Sequence, residues 1–150
     1  METKKISIED FALEVVNQIK QYTTDVEDGI SQEVKKVGDE AVSELQSIVL
    51  PPETEAGIDT KASKRRNWTN YSKSWVNNYE ENANYSKSVV HNRKHYPLTH
   101  LLEYGHATKT GGRTRAFRHV QPVSEKAEAK LEANVKKVIE KGGKIWAFKN

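Results

Sequence analysis

Between Ser7 and the pair Pro51-Pro52, the chain places Ile8, Phe11, Val15, Ile19, Tyr22, Val26, Ile30, Val34, Val37, Ala41, Leu45 and Ile48 at steps of three and four. This is the α-helical period, held for about forty residues. Ser7 can cap the start, with Asp10 where a capping-box acid stands, and the proline pair forbids continuation. Gly29 and Gly38 each weaken a helix by ~1 kcal/mol relative to alanine, so the spacing predicts one long helix or two nearly collinear ones broken near 29–31. Unbroken, such a helix extends ~60 Å, against the ~30 Å diameter of a small domain. Part of its apolar stripe must then meet another chain.

The rest of the chain reads as shorter pieces. Residues 51–66 mix prolines, small residues and charges without periodicity and form a connecting loop. Trp68, Tyr71, Trp75 and Tyr79 are the aromatics of a β-hairpin over 67–95, with strands at 68–79 and 85–92 and a turn in "EENAN". Pro97 opens a short helix, 97–105, that Gly105 can close in a left-handed conformation. Residues 106–121 form a basic loop in which Gly111 and Gly112 make a flexible stretch or a hairpin tip. Val123, Ala127, Leu131, Val135 and Val138 mark a second amphipathic helix, 122–142, and the tail 143–150 can add a strand or dock on a neighbour. The expected fold is α+β and a single domain, 1–150: a long N-terminal helix (1–50) and a C-terminal helix packed on a small antiparallel sheet, with an extended Gly-rich loop.

A chain of 150 residues with 35% hydrophobic and 30% charged residues supports one modest core. No cysteine is present, so disulfides and thiolate metal sites are excluded. No stretch approaches the roughly 18 apolar residues of a membrane span, and the first residues carry no apolar leader, so a soluble protein made in the cytoplasm is expected. The net charge of +3 conceals a segregation. Residues 7–50 hold ten acids against three lysines, and residues 61–120 hold twelve Lys or Arg against three glutamates. Complementary blocks of this kind fit copies of one chain, or an acidic partner.

Three chemistries compete for "LTHLLEYGHATKTGGRTRAFRH", residues 98–119. A His/Glu metalloenzyme would use His100, Glu103 and His106, but the spacing lacks the paired helical histidines of a metalloprotease motif. His91 and His95 straddle a strand end, where four residues span ~13 Å. No phosphate cradle or nucleophile elbow occurs, so no catalytic residue, metal or cofactor is assigned. Nonspecific DNA binding would use Lys109, Arg113, Arg115 and Arg118, with Trp68 and Phe117 available to stack. The third reading gives Glu103, Gly105, His106, Gly111, Gly112, His119 and Pro122 a loop-shaping role, by hydrogen bonds from a rigid base to backbone groups.

Taken in order, "YSKSW" (71–75), a second strand, "LTHLLEYGH" (98–106), the Gly-Gly loop and "RHVQP" (118–122) before a helix resemble the HK97 gp10-like family of tailed-phage proteins. The specific letters lie within 68–122, and the chain departs from the family pattern at Arg118, where a proline is usual. The resemblance implies a structural virion protein of the head–tail junction: a tail-completion, or neck, component of a phage or prophage. It implies a homo-oligomeric ring of six copies, or alternatively twelve. Its partners would be tail tube or tail terminator proteins and head connector or head closure proteins, with possible contact to genomic DNA and none to membrane. It implies no enzyme activity.

Overall fold

The structure is a computed structural model that describes residues 8–49, 68–83 and 85–142. The expected connector 51–66, the tail 143–150 and the Ser7 cap lie outside the described residues. Helix α1 runs Ile8–Ser47 without interruption. Residues 68–72 form a helical turn, α2. Strands β1 (Trp75–Asn82) and β2 (Tyr85–Asn92) pair antiparallel, Trp75 opposite Asn92 and Asn82 opposite Tyr85. Helices α3 (Tyr96–Tyr104) and α4 (Val120–Glu140) follow. The architecture is α+β, a long N-terminal and a C-terminal helix with a small two-stranded sheet.

No break occurs at 29–31, because α1 is held on both sides of Gly29 by α4. Tyr22 Oη donates to the Ile139 carbonyl at 3.2 Å, and Asn134 Nδ2 donates to Glu33 Oε2 at 2.8 Å. Further along, Lys130 meets Glu40 at 2.6 Å and Lys126 meets Glu44 at 2.8 Å. Partners that descend one helix as they climb the other make the pair antiparallel. Packing over this length offsets the ~1 kcal/mol propensity cost of each glycine.

The hairpin lies along the same half of α1, tied by Asn77 Nδ2 to Asp39 Oδ1 at 2.9 Å and Gln46 Nε2 to the Trp75 carbonyl at 3.0 Å. Gly38 makes this approach possible: a Cβ there would stand 1.9 Å from Ser88 Oγ and 2.6 Å from Asn77 Nδ2. The core is Ala41, Leu45, Tyr71, Trp75 and Val123, with Trp68, Leu102 and Val120 packed against it.

One expected element changes type. Residues 68–72 are helical where the aromatic alternation predicted strand. Tyr71, Trp75 and Tyr79 are spaced by four, a step that strand and helix periods share, whereas Trp68 to Tyr71 is a step of three that only a helix puts on one face. Lys73 N–H closes the turn on the Thr69 carbonyl at 3.1 Å, and the Ser72 hydroxyl donates to the same carbonyl at 3.2 Å. Trp68 and Tyr71 therefore sit beside each other, ring centroids 5.2 Å apart, and Tyr71 meets Trp75 edge-on at 5.9 Å.

The two halves of α1 differ. Its buried residues begin at Gly29. Toward the N-terminus, Ile8 is 88% exposed, Phe11 62%, Leu13 63% and Ile19 59%.

Candidate functional site

The N-terminus of α4 leaves four backbone N–H positions without helical acceptors, at residues 119 to 122. Pro122 has no N–H, and Glu103 satisfies the other three. Its Oε2 accepts from His119 N at 2.9 Å and Val120 N at 3.0 Å, and Oε1 accepts from Gln121 N at 2.9 Å. A carboxylate on the inner face of α3 thus caps α4 from outside, where the helix dipole also favours negative charge. Burial of Glu103 disfavours its charge, but the three N–H bonds and the His119 ring beside it outweigh that and hold the carboxyl below its ordinary 4.5.

His119 continues the network inward. Its Nδ1 lies 2.8 Å from the Phe117 carbonyl and 3.1 Å from Glu103 Oε2, and its Nε2 lies 2.8 Å from Tyr71 Oη. Burial pushes the Tyr71 hydroxyl above its ordinary 10.0; a hydrogen bond with Thr99 opposes this and the Glu103 charge adds to it. A Tyr–His–Glu chain has the outline of a proton relay, but Tyr71, His119 and Glu103 are each only 3–4% exposed. Such a sealed network fixes geometry rather than reaching a substrate.

Between these anchors the loop is clamped twice more. His106 N donates to Thr114 Oγ1 at 2.9 Å, and Thr114 N returns a bond to the His106 carbonyl at 2.8 Å. Ala107 bridges to Arg113 as a minimal antiparallel pair. The tip closes by Thr108 N to the Gly112 carbonyl at 2.8 Å, with Gly111 at φ 85. The "KTGG" stretch is therefore the tip of a small hydrogen-bonded hairpin, not a free arm.

Gly105 ends α3 at φ 68 and ψ 163, a positive φ but not the left-handed helical cap expected. The extended ψ sends the chain back beside its own return strand. A Cβ at Gly105 would lie 2.4 Å from the Thr114 carbonyl oxygen, so only glycine fits.

Two of the four loop cations are engaged locally. Arg113 Nη2 reaches back to the Gly105 carbonyl at 3.4 Å and Arg118 Nη1 to Gln121 Oε1 at 2.9 Å, while Lys109 stands exposed at the tip and Arg115 is exposed beside the clamp. Trp68 and Phe117, expected to offer faces for base stacking, pack inward instead. Phe117 stacks on His119 at 5.3 Å and meets Trp68 edge-on at 5.6 Å, and Trp68 packs against the core cluster. Tyr79 packs toward α1, its hydroxyl donating to the Ser31 carbonyl at 3.3 Å.

Among the described residues no group of three or more His, Asp or Glu converges to hold a metal. His100 is exposed, Glu103 is saturated by backbone N–H groups, and His106 Nδ1 lies 3.0 Å from Thr114 Oγ1. No family model, no curated protein and no solved structure matches this chain.

Sequence reasoning missed two features. Asn92, 2% exposed, donates to the Tyr71 carbonyl and accepts from His95 N, both at 2.8 Å, so one amide joins α2, β2 and α3. An asparagine just before a turn was the available signal. The other is a groove lined by Lys73, Arg93 and Lys94 with His95, joined only in space.

Proposed function

We propose that this protein is a structural assembly component of a tailed bacteriophage or prophage virion, acting in tail completion at the head–tail junction as a homo-oligomeric ring. The observation that carries this reading is the bare N-terminal half of α1, where Ile8, Phe11 and Ile19 on one face are each 59% exposed or more. A soluble chain rarely leaves so long an apolar stripe uncovered unless a partner covers it. The resemblance of "YSKSW", "LTHLLEYGH" and "RHVQP" to phage neck proteins supplies the biological setting. The Glu103 and His119 network supports it by giving the loop a fixed base from which to present one shape to a neighbour.

Light scattering after gel filtration, followed by electron microscopy with tail-tube or connector proteins, tests this. Closed rings, alone or on either template, are expected. Protein that stays monomeric and joins neither template overturns the reading.

A second reading, nonspecific DNA binding, draws on the absence of any Asp or Glu between residues 104 and 124. It requires binding at low salt that weakens steeply as salt rises. It requires too that the slope flatten when Lys109, Arg113, Arg115 and Arg118 become alanine.

A further inference from the structure

Two unlike faces stand at opposite ends of the molecule. At one end, Ile8, Phe11, Val15, Ile19 and Tyr22 fall within about 80° of one another at 100° per residue. All five are exposed, Tyr22 only by half because its hydroxyl is bonded to the Ile139 carbonyl of α4 at the inner end of the stripe. Glu9 and Glu14 flank this stripe on either side, and residues 8–28 hold six acids against one lysine.

At the other end, Tyr96 is 70% exposed and Tyr104 67%, and the two share one outer face of α3 with exposed His100 between them. The N-terminal edge of that face adjoins the groove of Lys73, Arg93, Lys94 and His95. Among the described residues, the ammonium and guanidinium groups of those three cations have no hydrogen-bond or ion-pair partner. No acid lines the groove.

These faces cannot meet within one molecule. Trp68 Nε1 donates to the Ile48 carbonyl at 3.1 Å, and Tyr71 Oη lies 3.3 Å from Thr99 Oγ1, so α3 stands by the C-terminal end of α1. Residue 8 is then ~60 Å away along a helix that does not bend back.

We propose that the acid-flanked stripe of α1, residues 8–22, docks on the cation-bordered outer face of α3 in a second copy of this chain. The inference rests on the assembly reading above and names the two faces it would use. The contact is head to tail, so each copy keeps one face of each kind free. Repetition closes a ring or runs on as a filament. Apolar burial supplies adhesion, and the acid-to-cation match sets polarity and register while disfavouring helix-to-helix pairing of two acidic stripes.

Charge reversal in both directions tests it by sedimentation velocity, with circular dichroism to confirm folding. One variant carries Glu9→Lys and Glu14→Lys, the other Arg93→Glu and Lys94→Glu. Each alone is expected to raise the apparent Kd at least about tenfold. An equimolar mixture is expected to return to within about threefold of wild type, because every helix again meets a groove of opposite sign. No other pairing of surfaces predicts that recovery.

Either variant associating like wild type, or a mixture that stays dissociated, overturns the interface while leaving a ring built from other surfaces. Wild type monomeric up to about 1 mM also overturns it and leaves the ring to the template experiment. If removing residues 143–150 then switches association on, the chain's own tail is the occupant. Should the reversed variants fail to fold, wild type at about 50 and 500 mM salt decides: weaker association at high salt supports the contact, and unchanged or tighter association overturns it.

Discussion

Helix α1 holds two halves written in the same period and used differently. From Gly29 onward it buries Glu33, Val37, Gly38, Ala41 and Leu45 beneath the hairpin and α4. From Ile8 to Tyr22 the stripe continues at the same steps and stays exposed. Hydrophobic periodicity says that a face will be covered; what covers it depends on elements elsewhere in the chain. The packed half carries small residues, Gly38 and Ala41, that admit a strand and a helix at close range. The bare half carries Ile8, Phe11 and Ile19, which project outward and suit insertion into another surface.

The sharpest way to break this contrast is to truncate a side chain in the packed half. Leu45, 3% exposed, lies in the central cluster with Tyr71 and Trp75. Leu45→Ala is expected to cost about 3 kcal/mol in chemical denaturation, from lost burial and the cavity left behind. A cost below about 1 kcal/mol would mean that the core is not where the structure puts it.

Glu103→Gln comes next, at about 2 kcal/mol. The amide has one acceptor oxygen for three N–H donors, and its own NH2 turns a donor toward them. The pH dependence has a definite sign. Because the folded-state carboxyl is held below 4.5, its contribution is complete above that value and is lost as pH falls through the lower folded value. Wild type should therefore lose stability in acid more steeply than Glu103→Gln, with the two melting curves converging at low pH.

Gly38→Ala is a smaller test with competing terms. Alanine gains ~1 kcal/mol of helix propensity, yet its methyl would sit 1.9 Å from Ser88 Oγ. Crowding of a packed interface costs about 1–3 kcal/mol, so a net loss of about 1 kcal/mol is expected by thermal melting. Adding Ser88→Gly should restore only part of it, since the closest clashing atom is gone but Asn77 Nδ2, at 2.6 Å, remains.

How far the chain could be read in advance follows from the range of each signal. The long helix, the hairpin ladder from Trp75 to Tyr79 against β2 and the second amphipathic helix were legible, because period and turn residues act over neighbours in sequence. The turn expected in "EENAN" is shorter than that, since Glu80, Glu81 and Asn82 still pair with Lys87, Ser86 and Tyr85. The helical turn at 68–72 was not, since Tyr71, Trp75 and Tyr79 satisfy both periods. "RHVQP" declares a helix start through Pro122, but nothing in the letters says that Glu103, sixteen residues before His119, supplies the missing acceptors. Nor does the sequence gather Lys73 with Arg93 and Lys94. Those relations are made by the core, which folds α2 and α3 against one end of α1.

The smallest expected effect is the most informative about the bare half. Ile19 is 59% exposed on the protomer, so Ile19→Ser removes little burial and disturbs helix propensity only slightly. Measured at high dilution, where each copy stands alone, its unfolding free energy should stay within about 0.5 kcal/mol of wild type. If Ile19→Ser instead costs as much as Leu45→Ala at dilution, the stripe is already covered by the chain itself, and the two halves of α1 are alike after all. If it costs nothing at dilution yet lowers stability progressively as protein concentration rises relative to wild type, the missing free energy is that of association, because only a partner that binds the folded form adds stability in proportion to its concentration.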